Sequence, residues 1–165
     1  MARIWICNAS PIIILAKAGH LTLLSDPTIT VLVPAEVVSE ILAGPPQDPA
    51  REMVIKGWGE RIEIQEIPNS VLQWGLGAGE SAVLGLALQK PGAVAILDDS
   101  EARTCSRALG IPLMGTLGIV LRAARMKTIA AAAPVVHDLR RAGFRLGEEL
   151  IRDALRQALG EDWSP

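Results

Sequence analysis

The chain is poor in aromatic residues, cysteine and histidine. Its 165 residues include four Trp, one Phe, no Tyr, two Cys and two His. Single-strand-binding surfaces usually stack bases on several Phe or Tyr residues, so this scarcity argues against a module of that kind. Cys7 and Cys105 are far apart and form no C-x-x-C pair, which excludes a zinc cluster and a small disulfide scaffold. With only two histidines, a metal site built from several His ligands is not expected, and a catalytic triad with a His base has few candidates.

Long apolar runs are also missing. No segment reaches about 18 uninterrupted apolar residues, and the first 20 residues lack the features of a signal peptide. We therefore expect a cytoplasmic protein that does not enter a membrane. Half of the residues are hydrophobic and 21% are charged, which excludes a disordered chain. The length predicts one domain over residues 1–165.

Apolar runs that suit buried strands alternate with helical patterns along the chain. The predicted strands cover residues 4–7, 29–33, 62–67, 93–97 and 110–114. The predicted helices cover residues 12–18, 34–42, 51–58, 80–89, 100–109, 117–126, 129–142 and 148–159. This order predicts an α/β fold of three layers (α/β/α), with a central parallel sheet of four to five strands and right-handed crossovers.

Polar residues follow the ends of three predicted strands. They are Asn8, Asp98–Asp99 and Gly115–Thr116. Sites in open parallel sheets form at the carboxyl ends of the strands, and Glu40 and Glu80 lie on helices that can reach the same crevice. Oxygen donors without His or Cys suit Mg²⁺ or Mn²⁺, and such an ion neutralises charge on a phosphodiester during cleavage.

Each of these acids also has a purely structural interpretation. Glu80 suits a helix N-terminus, Asp98 and Asp99 suit an N-cap run, and Glu40 suits a solvated helix edge. Only their joint placement at the strand ends favours a functional site. The segment 75–80 is G-x-G-x-G rather than G-x-G-x-x-G, so it does not support a nucleotide cofactor.

Basic residues are concentrated late in the chain. Residues 103–145 contain eight Lys or Arg and a single acid, Asp138. Such a stretch suits a diffuse contact with a polyanion such as a nucleic-acid backbone, although basic surface helices are also common in proteins that bind no nucleic acid. The candidate nucleic-acid-binding residues are Ser10, Arg103, Arg107, Thr116, Arg122 and Arg125.

Several short motifs together resemble those of PIN-domain proteins, and are most similar to a branch related to the VapC ribonuclease toxins. They are Asn8-Ala9-Ser10-Pro11-Ile12, Glu40, Leu76-Gly77-Ala78-Gly79-Glu80, Leu97-Asp98-Asp99 with Ala102-Arg103, and Gly115-Thr116-Leu117-Gly118. The likeness runs from about residue 3 to 160. It implies a fold similar to that of flap nucleases, with three or four acids that hold Mg²⁺ or Mn²⁺ for RNA cleavage.

The resemblance assigns the metal ligands to Asn8, Glu40, Glu80 and Asp99, and the catalytic acids to Glu40, Glu80, Asp99 and the adjacent Asp98. At Asn8 the catalytic pattern has Asp. An amide keeps a carbonyl ligand but removes one negative charge, so metal binding is expected to be weaker.

Three functions follow as hypotheses. The first is a metal-dependent endoribonuclease, the toxin of a toxin–antitoxin pair, with RNA and an antitoxin protein as partners. The second is a PIN-fold binding module with weak or no catalysis, and the third is a small-molecule α/β enzyme, which no motif supports. Because the predicted helix 117–126 is apolar around much of its circumference, we also expect a two-fold homodimer. A monomer in which helix 148–159 covers this surface is the alternative.

Overall fold

The computed structural model describes residues 2–165, and its centre is a five-stranded sheet. The strands are β1 (Arg3–Cys7), β2 (Ile29–Pro34), β3 (Glu60–Ile62), β4 (Val94–Ile96) and β5 (Leu113–Met114). Their order is β3-β2-β1-β4-β5, and every neighbouring pair is parallel. The predicted α/β fold with a parallel sheet is therefore confirmed.

Helices flank this sheet and provide the crossovers between its strands. They are α1 (Ala9–Lys17), α2 (Ala35–Leu42), α3 (Pro49–Ile55), α4 (Asn69–Leu72), α5 (Ala78–Gln89), α6 (Ser100–Ala108), α7 (Thr116–Arg125), α8 (Ala132–Arg141) and α9 (Glu148–Leu159). A 3-10 turn covers Leu21–Leu24. Across residues 2–165, no helix is long and apolar enough to cross a membrane.

The central strands are buried as their composition predicts. Trp5, Ile6 and Cys7 of β1 are at most 2% exposed, and Ala95 and Ile96 of β4 are fully buried. A strand covered on both faces needs apolar side chains at consecutive positions rather than at alternate ones. The core is otherwise built mainly from Ile, Leu, Val and Ala.

The predicted edge strand 62–67 is wrong in its bounds. The strand β3 ends at Ile62, and the following residues leave the sheet to lie over α5. A Cβ atom on Gly85 of α5 would lie only 3.1 Å from Ile64 and 3.3 Å from Ile67, so this glycine allows the close approach. The alternating apolar residues of this segment therefore cover a helix instead of extending the sheet.

The apolar helix α7 is used largely within the chain. Ile119, Val120 and Ala123 are buried, and Leu117 and Leu121 are half-buried against the core. The helix packs against α8, α9 and β5. This packing supports the monomer alternative, in which other helices cover the apolar surface of α7. The homodimer remains a prediction.

Candidate active site

The carboxyl ends of the two central strands lie side by side. Cys7 of β1 pairs with Ile96 of β4, and the backbone N–H of Asn8 donates to the carbonyl of Ile96 at 3.1 Å. Asn8 and Asp98 therefore follow adjacent strands at the same edge of the sheet. As the sequence predicts, this edge brings oxygen-bearing side chains together.

Asn8 is buried at this edge, with 2% of its surface exposed. Its side-chain Nδ2 donates to Oε1 of Glu80 at 3.1 Å, across 72 residues of sequence. Its Oδ1 atom is buried and accepts no hydrogen bond. A buried carbonyl oxygen without a partner carries a free-energy cost, and such an atom calls for a missing donor or cation.

Glu40 reaches the same point from α2. If Gly79 carried a Cβ atom, that atom would lie 2.9 Å from Oε2 of Glu40 and 3.1 Å from Oδ1 of Asn8. The two oxygens thus face the small space above Gly79, beside the residue that follows it, Glu80. Sequence reasoning missed the role of Gly79 in leaving this space open, although the Gly-rich run before Glu80 was visible.

The electrostatics of this cluster are unfavourable for negative charge. Loss of solvent contact raises the pKa of Glu40 above its usual value of 4.5, and the nearby charge of Glu80 raises it further. Carboxylates that repel one another need a cation or a proton to offset the repulsion. Glu40 is therefore easier to protonate in the folded protein than in the unfolded chain.

This shift predicts a pH-dependent effect of Glu40→Gln in metal-free buffer. Because the pKa of Glu40 is raised on folding, its ionisation lowers stability as pH rises from 4.5 through the raised value, and has no effect at lower pH. We expect Glu40→Gln to stabilise the protein at pH 7 and not below pH 4.5. Urea denaturation in EDTA measures the difference. The exposed Glu149→Gln serves as a matched control, and an equal gain at all pH values would contradict the prediction.

Asp98 is held by a separate set of contacts. Its Oδ1 accepts the backbone N–H of Thr116 at 2.8 Å, and its Oδ2 accepts the Thr116 hydroxyl at 2.5 Å. Beside it, Nη1 of Arg103 donates to the carbonyl of Leu97 at 3.0 Å. Gly115 leaves room for both side chains, since a Cβ there would lie 2.7 Å from Arg103 and 2.9 Å from Asp98. Asp98 therefore fastens the start of α7 to the end of β4.

Removing the Thr116 hydroxyl tests this connection. Thr116 is fully buried, so Thr116→Val would leave an oxygen of Asp98 without its partner. A hydrogen bond to a charged group contributes about 1.5–3 kcal/mol, and we expect a loss of about 2 kcal/mol in the free energy of unfolding. Chemical denaturation provides the measurement, and Thr116→Ser should retain most of the stability. If the Val and Ser variants are equally stable, the hydroxyl contributes nothing.

Asp99 caps α6. Its Oδ1 accepts the backbone N–H of Ala102 at 2.8 Å, while the residue as a whole is exposed. The structural interpretation of Asp99 as an N-cap is therefore correct, and a role as metal ligand stays a prediction. Among residues 2–165, no three or more His, Cys, Asp or Glu side chains converge closely enough to hold a metal ion.

The candidate RNA-binding residues are not all at this edge. Ser10 is exposed in the first turn of α1, Arg103 lies in the first turn of α6, and Thr116 begins α7 there. The helices α6 and α7 then run away from the edge, carrying Arg107 and Arg125 to their last turns.

Arg122 lies with the far end of α7 and is already paired. Its guanidinium donates to Asp26 at 3.0 Å and lies 5.1 Å above the ring of Trp5. Hydrogen bonds from Thr28, together with the one from Arg122, lower the pKa of Asp26 to about 2. The ion pairs Arg140–Glu148 and Arg141–Asp138 neutralise more of the basic stretch. Within residues 2–165, Arg122, Arg140 and Arg141 thus have acidic partners, and the role of the basic stretch in nucleic-acid binding stays a prediction.

The parallel sheet and the polar cluster at the carboxyl ends of its strands agree with the protein family that this sequence matches. A family model described as a PIN domain matches residues 4–160. The chain belongs to the PIN-domain family. Proteins of this family are generally nuclease-like and typically bind divalent metals. No curated protein matches the chain.

The donor set of this PIN domain fits a hard divalent cation in its chemistry. The cluster offers two carboxylates, Glu40 and Glu80, and the unpartnered carbonyl oxygen of Asn8. These are oxygen ligands of the kind that Mg²⁺ and Mn²⁺ prefer, without His or Cys. A cation would also offset the repulsion that raises the pKa of Glu40. Asn8, Glu40 and Glu80 are thus the residues that would hold it.

Proposed function

We propose that this PIN domain is a metal-dependent endoribonuclease. The observation that carries the proposal is the buried Oδ1 of Asn8, which has no hydrogen-bond partner and faces the same space as the carboxylate of Glu40. A bound Mg²⁺ or Mn²⁺ would supply the partner for this oxygen and stabilise charge on a phosphodiester. The family match and the oxygen-only donor set support the same activity.

The chain's own residues have distinct parts in this proposal. Glu80 is oriented by the amide of Asn8, which donates to one carboxylate oxygen, while the other oxygen lies over Gly77. Glu40 supplies the second carboxylate from α2. Arg103, beside the end of β4, supplies a positive charge for an RNA phosphate, while Asp98 holds α7 in place through Thr116. Asp99 is proposed as a further ligand.

A second candidate is a PIN-fold binding module without nuclease activity. One contact favours it: the Asn8 amide already donates a hydrogen bond to Glu80 and so offsets part of its charge without a metal. In this proposal, Asn8 in place of the usual Asp marks lost catalysis. The motifs that resemble the VapC ribonuclease toxins support the first candidate, with the toxin role and an antitoxin protein as partner.

Dependence on a divalent cation separates the two candidates. We expect the protein to cleave a labelled single-stranded RNA with Mn²⁺, to stop when EDTA is added, and to resume when excess Mn²⁺ is restored. Gel analysis of the products measures this, with a preparation of Glu80→Gln as the control for contaminating ribonuclease. Cleavage that persists in EDTA, or in both preparations equally, would contradict the proposal.

A further inference from the structure

A groove of about 410 Å³ lies next to the candidate site at the same edge of the sheet. It runs between the start of α7 and the segment 144–150 that leads into α9. Asp98 is one of its lining residues, so the groove reaches the segment that follows β4. Since adjacent strands are about 4.8 Å apart, the end of β5 lies roughly 10 Å from Asn8, two strands away.

The lining of this groove combines apolar side chains with two guanidinium groups. Its apolar lining includes Met114, Leu117, Leu121 and Phe144, the only phenylalanine in the chain. Arg103 and Arg145 also line it. The volume lies within the roughly 300–1,000 Å³ that small-molecule pockets occupy.

The charges of the groove select an anionic occupant. Within residues 2–165, Arg145 forms no ion pair and no side-chain hydrogen bond, and it is exposed. Arg103 uses one nitrogen on the carbonyl of Leu97. The only carboxylate in the lining, Asp98, is held by Thr116. An occupant must therefore offer a flat or compact apolar group together with negative charge.

We propose that this groove binds one unpaired nucleotide of the RNA, next to the phosphate at the carboxylate cluster. The base would lie against Phe144 and the aliphatic side chains of the lining, and Arg103 and Arg145 would contact the phosphates on either side of it. Single-stranded RNA is commonly recognised through unstacked bases that pack on aromatic side chains. The inference rests on the proposed function, because it assumes that RNA is the substrate.

Because Phe144 is the only phenylalanine, ligand binding in the groove can be followed by ¹⁹F NMR. Full-length protein labelled with 4-fluorophenylalanine has one ¹⁹F resonance, from position 144. In EDTA, we expect AMP, GMP, CMP or UMP to shift this resonance in a saturable way, whereas ribose 5-phosphate and inorganic phosphate should not. No shift with any nucleotide, or an equal shift with phosphate alone, would overturn the proposal. A shift caused by raising the protein concentration alone would instead assign the groove to a second copy of the chain.

Two variants test the same assignment with a fluorescent RNA pentamer and polarisation in EDTA. Phe144→Leu keeps an apolar side chain but removes the ring, and we expect about tenfold weaker binding, the loss of one base–aromatic stack. Arg145→Gln should weaken binding about two- to fivefold, as for an exposed charge pair. Its matched control is Arg156→Gln, at an exposed position in the last turn of α9, which should bind as the wild type does.

The outcome of these measurements does not depend on catalysis. If Phe144→Leu and Arg145→Gln both bind RNA as tightly as the wild type, the groove is not the nucleotide site, even when the protein cleaves RNA. If nucleotides bind in the groove and no cleavage occurs with Mn²⁺, the groove assignment stands and the nuclease proposal fails. Arg145 is exposed, so its variant remains informative if Phe144→Leu folds poorly.

Discussion

Glu80→Gln is expected to abolish stabilisation by Mn²⁺ and to reduce RNA cleavage by at least about 100-fold. A cation that binds only the folded protein contributes about 2.7 kcal/mol at 100 times its Kd. For a chain of 165 residues this corresponds to a rise in Tm of roughly 5–10 °C. Glutamine keeps an oxygen that can accept the Asn8 amide but removes the charge that attracts the ion. Stabilisation of the transition state by a Lewis acid contributes several kcal/mol, which sets the expected loss of rate.

Two further substitutions make this experiment selective. Glu149→Gln makes the same chemical change at an exposed position on α9 and should leave the Mn²⁺ shift intact. Asp99→Asn keeps a side chain that can cap α6, so a reduced Mn²⁺ shift in this variant would identify Asp99 as a metal ligand in addition to its role as a cap. If Glu80→Gln retains the full shift in Tm, the ion does not bind where we place it.

Asn8→Asp is expected to make stability strongly dependent on the metal. The substitution replaces a donor to Glu80 by a third carboxylate at a position that is only 2% exposed. In EDTA, the loss of the hydrogen bond and the added repulsion should lower the free energy of unfolding by about 3 kcal/mol. In Mn²⁺, the extra charge should strengthen binding of the ion, so most of this loss should be recovered. Thermal melts in both buffers measure the two effects.

The same variant distinguishes the two proposed functions. For an active nuclease, wild type cleaves RNA with Mn²⁺ and Asn8→Asp cleaves it at least as fast. For a binding module, wild type cleaves nothing and Asn8→Asp gains activity. Asn8→Ala supplies the control, because it removes both the donor and the carbonyl ligand. If Asn8→Asp is equally unstable in EDTA and in Mn²⁺, no cation binds beside residue 8.

The local sequence was sufficient to predict the main elements and their order. Consecutive apolar residues in 4–7 indicate a strand buried on both faces, and the structure has β1 at Arg3–Cys7. The helices 100–109 and 148–159 were predicted within a residue of α6 and α9, since caps and apolar periodicity are properties of neighbouring residues. The polar residues at the strand ends were visible for the same reason.

Contacts between distant segments could not be predicted in this way. The pattern of residues 62–67 has the period of a strand, yet Ile64 and Ile67 cover Gly85 of α5, and only the packed structure decides between a sheet edge and a helix surface. The short helix α4, which was not predicted, follows this segment. Glu161, near the end of the chain, accepts the backbone N–H groups of Ala132 and Ala133 at the start of α8, and no local pattern indicates this.

Some features of the candidate site were likewise predictable from the sequence, and others were set only by the tertiary structure. Its residue types and their positions after strands β1, β4 and β5 are a property of the sequence, because the ends of parallel strands meet at one edge. The tertiary structure alone decided which side chains meet: Asn8 with Glu80, Asp98 with Thr116, and Arg122 with Asp26 at the other end of α7. Each of these pairs joins residues 18 to 96 positions apart. Such pairs depend on how helices dock on the sheet, and docking is set by the volume and shape of the whole core rather than by any local pattern.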